Sequence, residues 1–479
     1  MRRGGLWRSL FCLFVLVPMI WGTAAFAAEL IVPSAEYPYI QDAIDAAAPG
    51  DTIIVGDGTY PGNLLVQKAI TIQSENGAEK TTIDCAGASR GVTFSGDEAS
   101  GAVLSGFTIT GGIEATGGAI LCQNSASPTI SDCIITGNKA ITYGGGIACS
   151  NSSPTIVRCS ITSNEAYRGA GIYLTNLASP LFSSCLIADN IAVAAGGAFF
   201  CISQCSPNIV NCTISNNEVT GSSGMGGGIC CYVNSSPTAV NSILWGNISL
   251  NGPEIYLSGG SFALSYSDIE GGEEKIYPNS RTLVQWGIGN INQDPLFIGE
   301  GDYHLSPDSP CIEAGIQLDV LSSKPQADLF EFDIEGEPRV MGSAPDMGAD
   351  EFTVEEDEVI QVEIDIKPGC SENKINLKSW GLLPVAVKTN GEFNASDIDP
   401  RTVEFAGARP VWRICYDVDR DRDKDMLFFF WIKNLNLDED NSEAILTGTT
   451  KDGKYFEGTD KVTIIKPEGK AKGWRFGRK

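Results

Sequence analysis

Apolar positions recur in fixed columns through the middle of the chain. Five stretches align without gaps over twelve residues: SPTISDCIITGN from Ser127, SPTIVRCSITSN from Ser153, SPLFSSCLIADN from Ser179, SPNIVNCTISNN from Ser206 and SPTAVNSILWGN from Ser236. Their starts lie 26, 26, 27 and 30 residues apart. One apolar column (Ile130, Ile156, Phe182, Ile209, Ala239) lies two residues past the proline. The columns headed by Cys133 and Ile135 lie five and seven past it. Residues two apart on a strand share a face, so these last two columns predict one strand, and the step of three before them predicts a corner. A further apolar pair comes upstream, as Ile120/Cys122, Ile147/Cys149, Ile172/Leu174, Phe199/Cys201 and Ile229/Cys231. Glycine pairs such as Gly117-Gly118 and Gly145-Gly146 precede it and permit a bend. Each repeat is therefore expected to form three short strands and three corners.

No unit of this size buries its apolar face alone. Stacking repeats at about 4.8 Å per coil closes a continuous core, with like residues above like. The pattern predicts an all-β solenoid with an asparagine ladder at Asn138, Asn164, Asn190, Asn217 and Asn247, where each amide can bond the next. Ile40, Ala43, Ile44 and Ala47 have helical spacing, Pro49-Gly50 stops that helix, and Thr52 to Val55 reads as a strand. Such a helix would cap the open end of a stack.

The segment IQDAIDAAAPGDTIIVGDGTY (Ile40 to Tyr60) and the Gly-Gly/Ser-Pro/Asn repeats resemble the pectate-lyase-like right-handed parallel β-helix superfamily. DPLFIGEGDYHLSPDSPCIEAG (from Asp294) and PDMGADEF (from Pro345) resemble the exit of its secreted bacterial members. The resemblance covers about residues 30 to 352 and implies the fold. It leaves the activity open, because the superfamily includes lyases, hydrolases and adhesins.

The character changes after residue 352. Residues 353–360 read as an acidic linker, 361–467 as a small β-rich domain and 468–479 as a basic tail. IDIKPG, INLKSWGLLPVAV and LTGTTKDGKYFEGTDKV resemble a module appended to many bacterial secreted proteins. Within it, DVDRDRDKD places Asp417, Asp419, Asp421, Asp423 and Asp425 at alternate positions, a spacing similar to an EF-hand calcium loop. Arg422 stands where that loop has glycine and Phe428 where it has glutamate, so Asp425 would supply the later ligand. The other reading is an acidic hairpin neutralised by Arg420, Arg422 and Lys424.

The chain begins with Arg2, Arg3 and Arg8, an apolar run from Leu10 to Ile20, and Ala25-Phe26-Ala27. These are the parts of a cleavable secretory signal peptide spanning residues 1–27, which leaves 28–352 for the β-helix. No later stretch is long and apolar enough for a membrane span. The expected location is extracellular or at a cell surface.

The net charge of −26 becomes −29 without the three signal arginines. That excludes nucleic acid as a partner, since phosphate binding needs clustered Lys and Arg. The single histidine, His304, excludes multi-histidine metal sites and is the only residue a Ser-His-Asp hydrolase could use.

Of the fifteen cysteines, twelve lie from Cys85 to Cys311, mostly in inward columns where Cys packs like Val or Ala. Neighbouring coils are close enough that disulfides there stay open, and zinc is not expected without CxxC pairs. Cys370 and Cys415, the two cysteines of the C-terminal domain, are expected to form a disulfide.

The coils from 117 to 250 carry few charges. Asp132 and Arg158 share a column in adjacent repeats, as do Lys139 and Glu165. Asp132 and Arg158 are weak catalytic candidates, because no further carboxylate joins them. The region 250–300, read as an insertion, carries Glu254, Asp268, Glu270, Glu273, Glu274 and Lys275 and is the place to look for an exception. The expected function is non-catalytic binding or adhesion, with a polysaccharide or cell-surface glycan as partner. The alternative is a polysaccharide lyase or glycoside hydrolase acting on acidic polysaccharide.

Overall fold

The computed structural model describes residues 27–278, 282–299, 301–318, 330–353, 359–370, 372–391, 393–438 and 442–465. Residues 1–26 of the expected signal peptide, the acidic run 355–358 and the basic tail 468–479 lie outside them. The chain divides into two compact units, Met1–Phe352 and Thr353–Lys479.

The first unit is a parallel β-solenoid over residues 29–286. Strands Thr129–Ser131, Thr155–Val157, Leu181–Ser183, Asn208–Val210 and Thr238–Val240 pair in parallel, so Ile130, Ile156, Phe182, Ile209 and Ala239 stack as a buried column. Ile134–Thr136, Ser160–Thr162, Leu186–Ala188, Thr213–Ser215 and Ile243–Trp245 do the same on the next face, stacking Ile135 through Leu244. The corner between the two faces is made by Asp132, Arg158, Ser184, Asn211 and Asn241, all at φ between 48° and 55°. One left-handed residue per coil turns the chain there, which is why the apolar spacing steps by three instead of two.

Five successive coils carry a fourth short strand beyond the three expected. Ile113–Thr116, Lys139–Tyr143, Glu165–Arg168, Ile191–Ala195 and Glu218–Val219 form a separate parallel sheet of five. Its inward positions are Ala140, Ala166, Ala192 and Val219. Alanine fills that narrow side, so no column of large apolar residues announced the strand.

The asparagine ladder is buried and continuous. Nδ2 donates to the next Oδ1 from Asn138 to Asn164 (3.1 Å), Asn164 to Asn190 (3.0 Å), Asn190 to Asn217 (2.9 Å) and Asn217 to Asn247 (2.9 Å). Glu254 ends it, accepting from Asn247 Nδ2 at 2.5 Å and from the Asn247 amide at 3.1 Å. Burial pushes the Glu254 carboxyl up to about 8. The twelve cysteines from Cys85 to Cys311 are buried free thiols. Cys159 and Cys185 sit one above the other, their thiols donating to the carbonyls of Val157 and Ser183.

Helix Ile40–Ala46 buries Ile40, Ala43 and Ile44 beside the first coils. The region read as an insertion is instead the end of the stack. Ile255–Ser265 runs in register along both Ile229–Ser235 and Thr238–Val240, and Thr282–Trp286 pairs with it in turn.

After Ile291, which still bridges Asp268 in parallel, the chain stops coiling and folds back. An antiparallel hairpin, Phe297–Gly299 with Asp302–Leu305, and the described residues of the irregular stretch after it, 306–318 and 330–352, lie along the earlier coils. Tyr303 Oη donates to Asp189 at 3.0 Å, and Ser184 Oγ donates to the Phe332 carbonyl at 3.0 Å. The Ala349 amide donates to Thr213 Oγ1 at 3.0 Å.

The second unit is a small β-sandwich. One sheet holds Ile364–Ile366, Leu382–Val387, Asp425–Trp431 and Trp412–Tyr416; the other holds Ile360–Gln361, Tyr455–Lys461, Glu443–Thr449 and Glu404–Phe405. Val385, Phe405, Phe428, Phe430, Leu446 and Phe456 fill its core. Among the described residues, no helix is long and apolar enough to cross a membrane.

Candidate functional site

The fold-back segment leaves an open cleft of about 800 Å³ between itself and the solenoid. One wall is a single outward column of four successive coils, Ile134, Ser160, Leu186 and Thr213. Adjacent strands are about 4.8 Å apart, so the cleft runs along the solenoid axis for roughly 14 Å. The other wall comes from Gly301 to His304, Ile334-Glu335 and Ala349-Asp350.

His304 is the centre of the polar chemistry. It lies on hairpin strand Asp302–Leu305, and its ring is held at both nitrogens: Nδ1 is 2.5 Å from Asp302 Oδ1 and Nε2 is 2.9 Å from Glu335 Oε1. Asp350 completes the group. His304, Glu335 and Asp350 each offer a ligand atom, and these atoms all lie within 4.8 Å of one another. Burial alone would lower the imidazole pKa, but the bonds to Asp302 and Glu335 outweigh it and raise the pKa to about 9. Burial pushes the Asp350 carboxyl up to about 7.

A second set of acids builds the wall behind them. Asp333 is fully buried and accepts from the amides of Glu335 (3.0 Å), Glu337 (2.7 Å) and Glu351 (3.1 Å). Asp346 accepts from the Glu313 and Phe352 amides at 2.6 and 2.7 Å. Arg339, also buried, faces Glu351 at 3.8 Å and donates to the Asp346 carbonyl at 2.7 Å and the Ala349 carbonyl at 3.2 Å. These groups use charge to organise an irregular backbone. Asp302, Glu335 and Asp350 are left facing His304 and the cleft.

The weak catalytic candidates lie elsewhere on the coils. Arg158 Nε and Nη2 donate to the two Asp132 oxygens at 2.7 and 3.2 Å, and Ser105 Oγ donates to Asp132 Oδ2 at 3.2 Å. This is a saturated ion pair bridging two coils. Lys139 and Glu165 pair at 2.6 Å in the same way, both about half exposed. In the terminal coils Asp268 is buried, its carboxyl raised to about 6 by burial, and accepts from the Gln293 amide and the Cys311 thiol. Glu270 accepts from the Gly246 amide at 2.8 Å. Glu273, Glu274 and Lys275 form an exposed turn of 3-10 helix.

In the sandwich, Asp417, Asp419 and Asp425 bring their carboxylates within 4.8 Å of one another, while Asp421 and Asp423 do not join them. Arg422 takes φ +87°, the left-handed turn for which glycine is favoured at that position. Phe428, at the glutamate position, is buried in the core. Asp425 is buried and accepts from the Thr389 and Val418 amides at 2.9 and 2.7 Å.

The expected Cys370–Cys415 disulfide is not formed; both are exposed free thiols. Cys415 lies on strand Trp412–Tyr416 beside Met426, at the far edge of a sheet whose first strand is Ile364–Ile366. Cys370 follows that first strand, in the turn where its amide bonds the Lys367 carbonyl. Three strand spacings of about 4.8 Å separate the two edges, beyond the roughly 7 Å Cα reach of a disulfide.

In the sequence His304 stood out only as the single histidine, not as a site residue, and its partners were not among the candidates. The signal was present: a lone histidine two residues from Asp302, followed by the acid-rich stretch from Glu331 to Glu351. Only the fold-back joins them. A family model described as the right handed beta helix region matches residues 72–269. No curated protein matches the chain. The matched region lies within the stack and stops short of His304.

Proposed function

We propose that the chain is an exported member of the pectate-lyase-like superfamily that binds a linear glycan in the cleft between the solenoid and its fold-back segment. One observation carries the reading: the cleft is elongated along the coil axis, and one wall repeats the same position at every coil. A periodic wall suits a periodic ligand. Ser160 offers a hydroxyl, Ile134 and Leu186 offer apolar surface for sugar rings, and Asp302 and Glu335 accept hydrogen bonds. The acid cluster favours neutral or amino sugars over acidic ones. Among the described residues lining the cleft there is no Lys or Arg to pair with the carboxylate of an acidic sugar.

Glycoside hydrolysis is the second reading, favoured by Asp350. A carboxyl with a pKa of about 7, close to the carboxylate of Glu335, has the pairing of an acid with an ionised partner. A glycan array probed with the secreted chain, followed by a reducing-end assay on every bound glycan, separates the two. Retention of linear glycans without release of sugar supports binding. Release of sugar that is lost in Asp350→Asn supports hydrolysis. Failure to retain any glycan overturns both.

We also propose Ca²⁺ as a ligand of Asp417, Asp419 and Asp425, whose hard oxygen donors fit that ion. Titration of the full chain should then show a calcium signal that disappears in Asp417→Ala/Asp419→Ala. A signal that survives the double substitution contradicts the assignment.

A further inference from the structure

His304 is oriented the way a metal-binding histidine is oriented. A ligating imidazole typically gives its other ring N–H to a carboxylate, which fixes the tautomer and aims the free nitrogen at the metal. Here Asp302 Oδ1 sits 2.5 Å from Nδ1. That leaves Nε2 directed at Glu335, with Asp350 in the same cluster.

Charge balance points the same way. Asp302, Glu335 and Asp350 surround one imidazole. Arg339, the nearby cation, is already engaged by Glu351 and two backbone carbonyls. Asp350 is only 9% exposed and accepts from the Leu305 amide. The one positive ring is outnumbered by the three carboxylates around it, and a divalent ion would restore the balance. Asp333, by contrast, has three amides on its oxygens and needs none.

We propose that His304 Nε2, Glu335 and Asp350 form a divalent transition-metal site, of the zinc class, at the head of the cleft. One imidazole and two carboxylates suit zinc or a neighbouring first-row ion better than calcium, which takes oxygen donors only. On binding, the ion takes the place of the proton on Nε2, and that proton leaves to solvent. Three protein ligands leave at least one coordination position open, and the site faces the cleft. The site does not depend on glycan binding and is tested with metal alone.

The test uses the full chain without a histidine tag. Zn²⁺ titrated by calorimetry should bind one ion per chain with a component that weakens at least tenfold in His304→Ala and in Glu335→Gln. Glu335 is half exposed, so its substitution leaves the fold intact if His304→Ala does not. Loading with Cu²⁺ and pulsed electron paramagnetic resonance should show nitrogen modulation from one imidazole. With a single histidine in the chain, that signal can come only from His304. Absence of stoichiometric Zn²⁺ binding overturns the proposal. So does binding unchanged in Glu335→Gln and in a folded His304→Ala, or a copper signal without imidazole nitrogen.

Discussion

The coils from 117 to 250 and the fold-back segment from 297 to 352 solve the problem of burial in opposite ways. The coils bury isoleucine on isoleucine and amide on amide, so every rung supports the next with the same contacts. Among its described residues the fold-back has little regular structure and buries Asp333, Arg339, Asp346, Asp350 and Glu351 instead. Several of its backbone amides, including those of Glu313, Glu335, Glu337, Glu351 and Phe352, are satisfied by carboxylates. The difference teaches where chemistry can arise. A repeating wall is a good surface but has no reason to hold an unusual charge. An irregular segment laid across it must bring charges inside, and some of them are left facing the cleft.

The largest break in this comparison should come from a charge in the repetitive core. Ile161→Asp buries a carboxylate in a column with no partner, at a cost of about 5 kcal/mol or more. The variant should fail to fold or melt far below the parent by circular dichroism. A parental melting temperature would show that the column does not face inward. Arg339→Met does the reverse experiment on the fold-back. It strands Glu351 without its cation and should cost about 3–5 kcal/mol by denaturant unfolding. Little change there would mean that the segment is held by its amide contacts alone.

Smaller effects sharpen the picture. Asn190→Ala removes one rung and leaves the Ile161 carbonyl and the Asn164 amide short of a partner, for a loss of about 1–3 kcal/mol in the same assay. Glu254 gives the ladder a pH dependence. Its folded pKa is about 8, above its unfolded value, so the native chain keeps a proton that the unfolded chain has lost in between. Its effect is therefore stability that falls as pH rises from about 4.5 to about 8 and levels beyond. Glu254→Gln should flatten the plot of melting temperature against pH in that window; a parallel curve would contradict the assignment. Lys139→Ala, breaking an exposed pair, should cost no more than about 1 kcal/mol.

Much of the solenoid was legible because its physics is periodic. A column such as Ile130, Ile156, Phe182, Ile209 has one meaning in every repeat, and so does the asparagine ten residues past each proline. The fourth strand escaped because Ala140, Ala166 and Ala192 look the same in a loop as in a narrow wall. The terminal coils looked like an insertion because Ile255–Ser265 merges two strands into one and drops the Ser-Pro marker. The site was least legible. Asp302, His304, Glu335 and Asp350 share no spacing, and their meeting depends on where an irregular segment lands. The Cys370–Cys415 expectation failed for a related reason: two cysteines in one small domain say nothing of which sheet edge each occupies.

On the reading proposed above, the cleft holding His304 is where this protein meets its ligand. The chain has one histidine, so its ring resonances need no assignment strategy. The direct measurement is nuclear magnetic resonance of the His304 imidazole while a glycan retained on the array is titrated into the full-length, untagged chain. The ring resonances should shift and saturate at the concentration where binding saturates. A glycan that binds fully while the His304 resonances stay in place would contradict it.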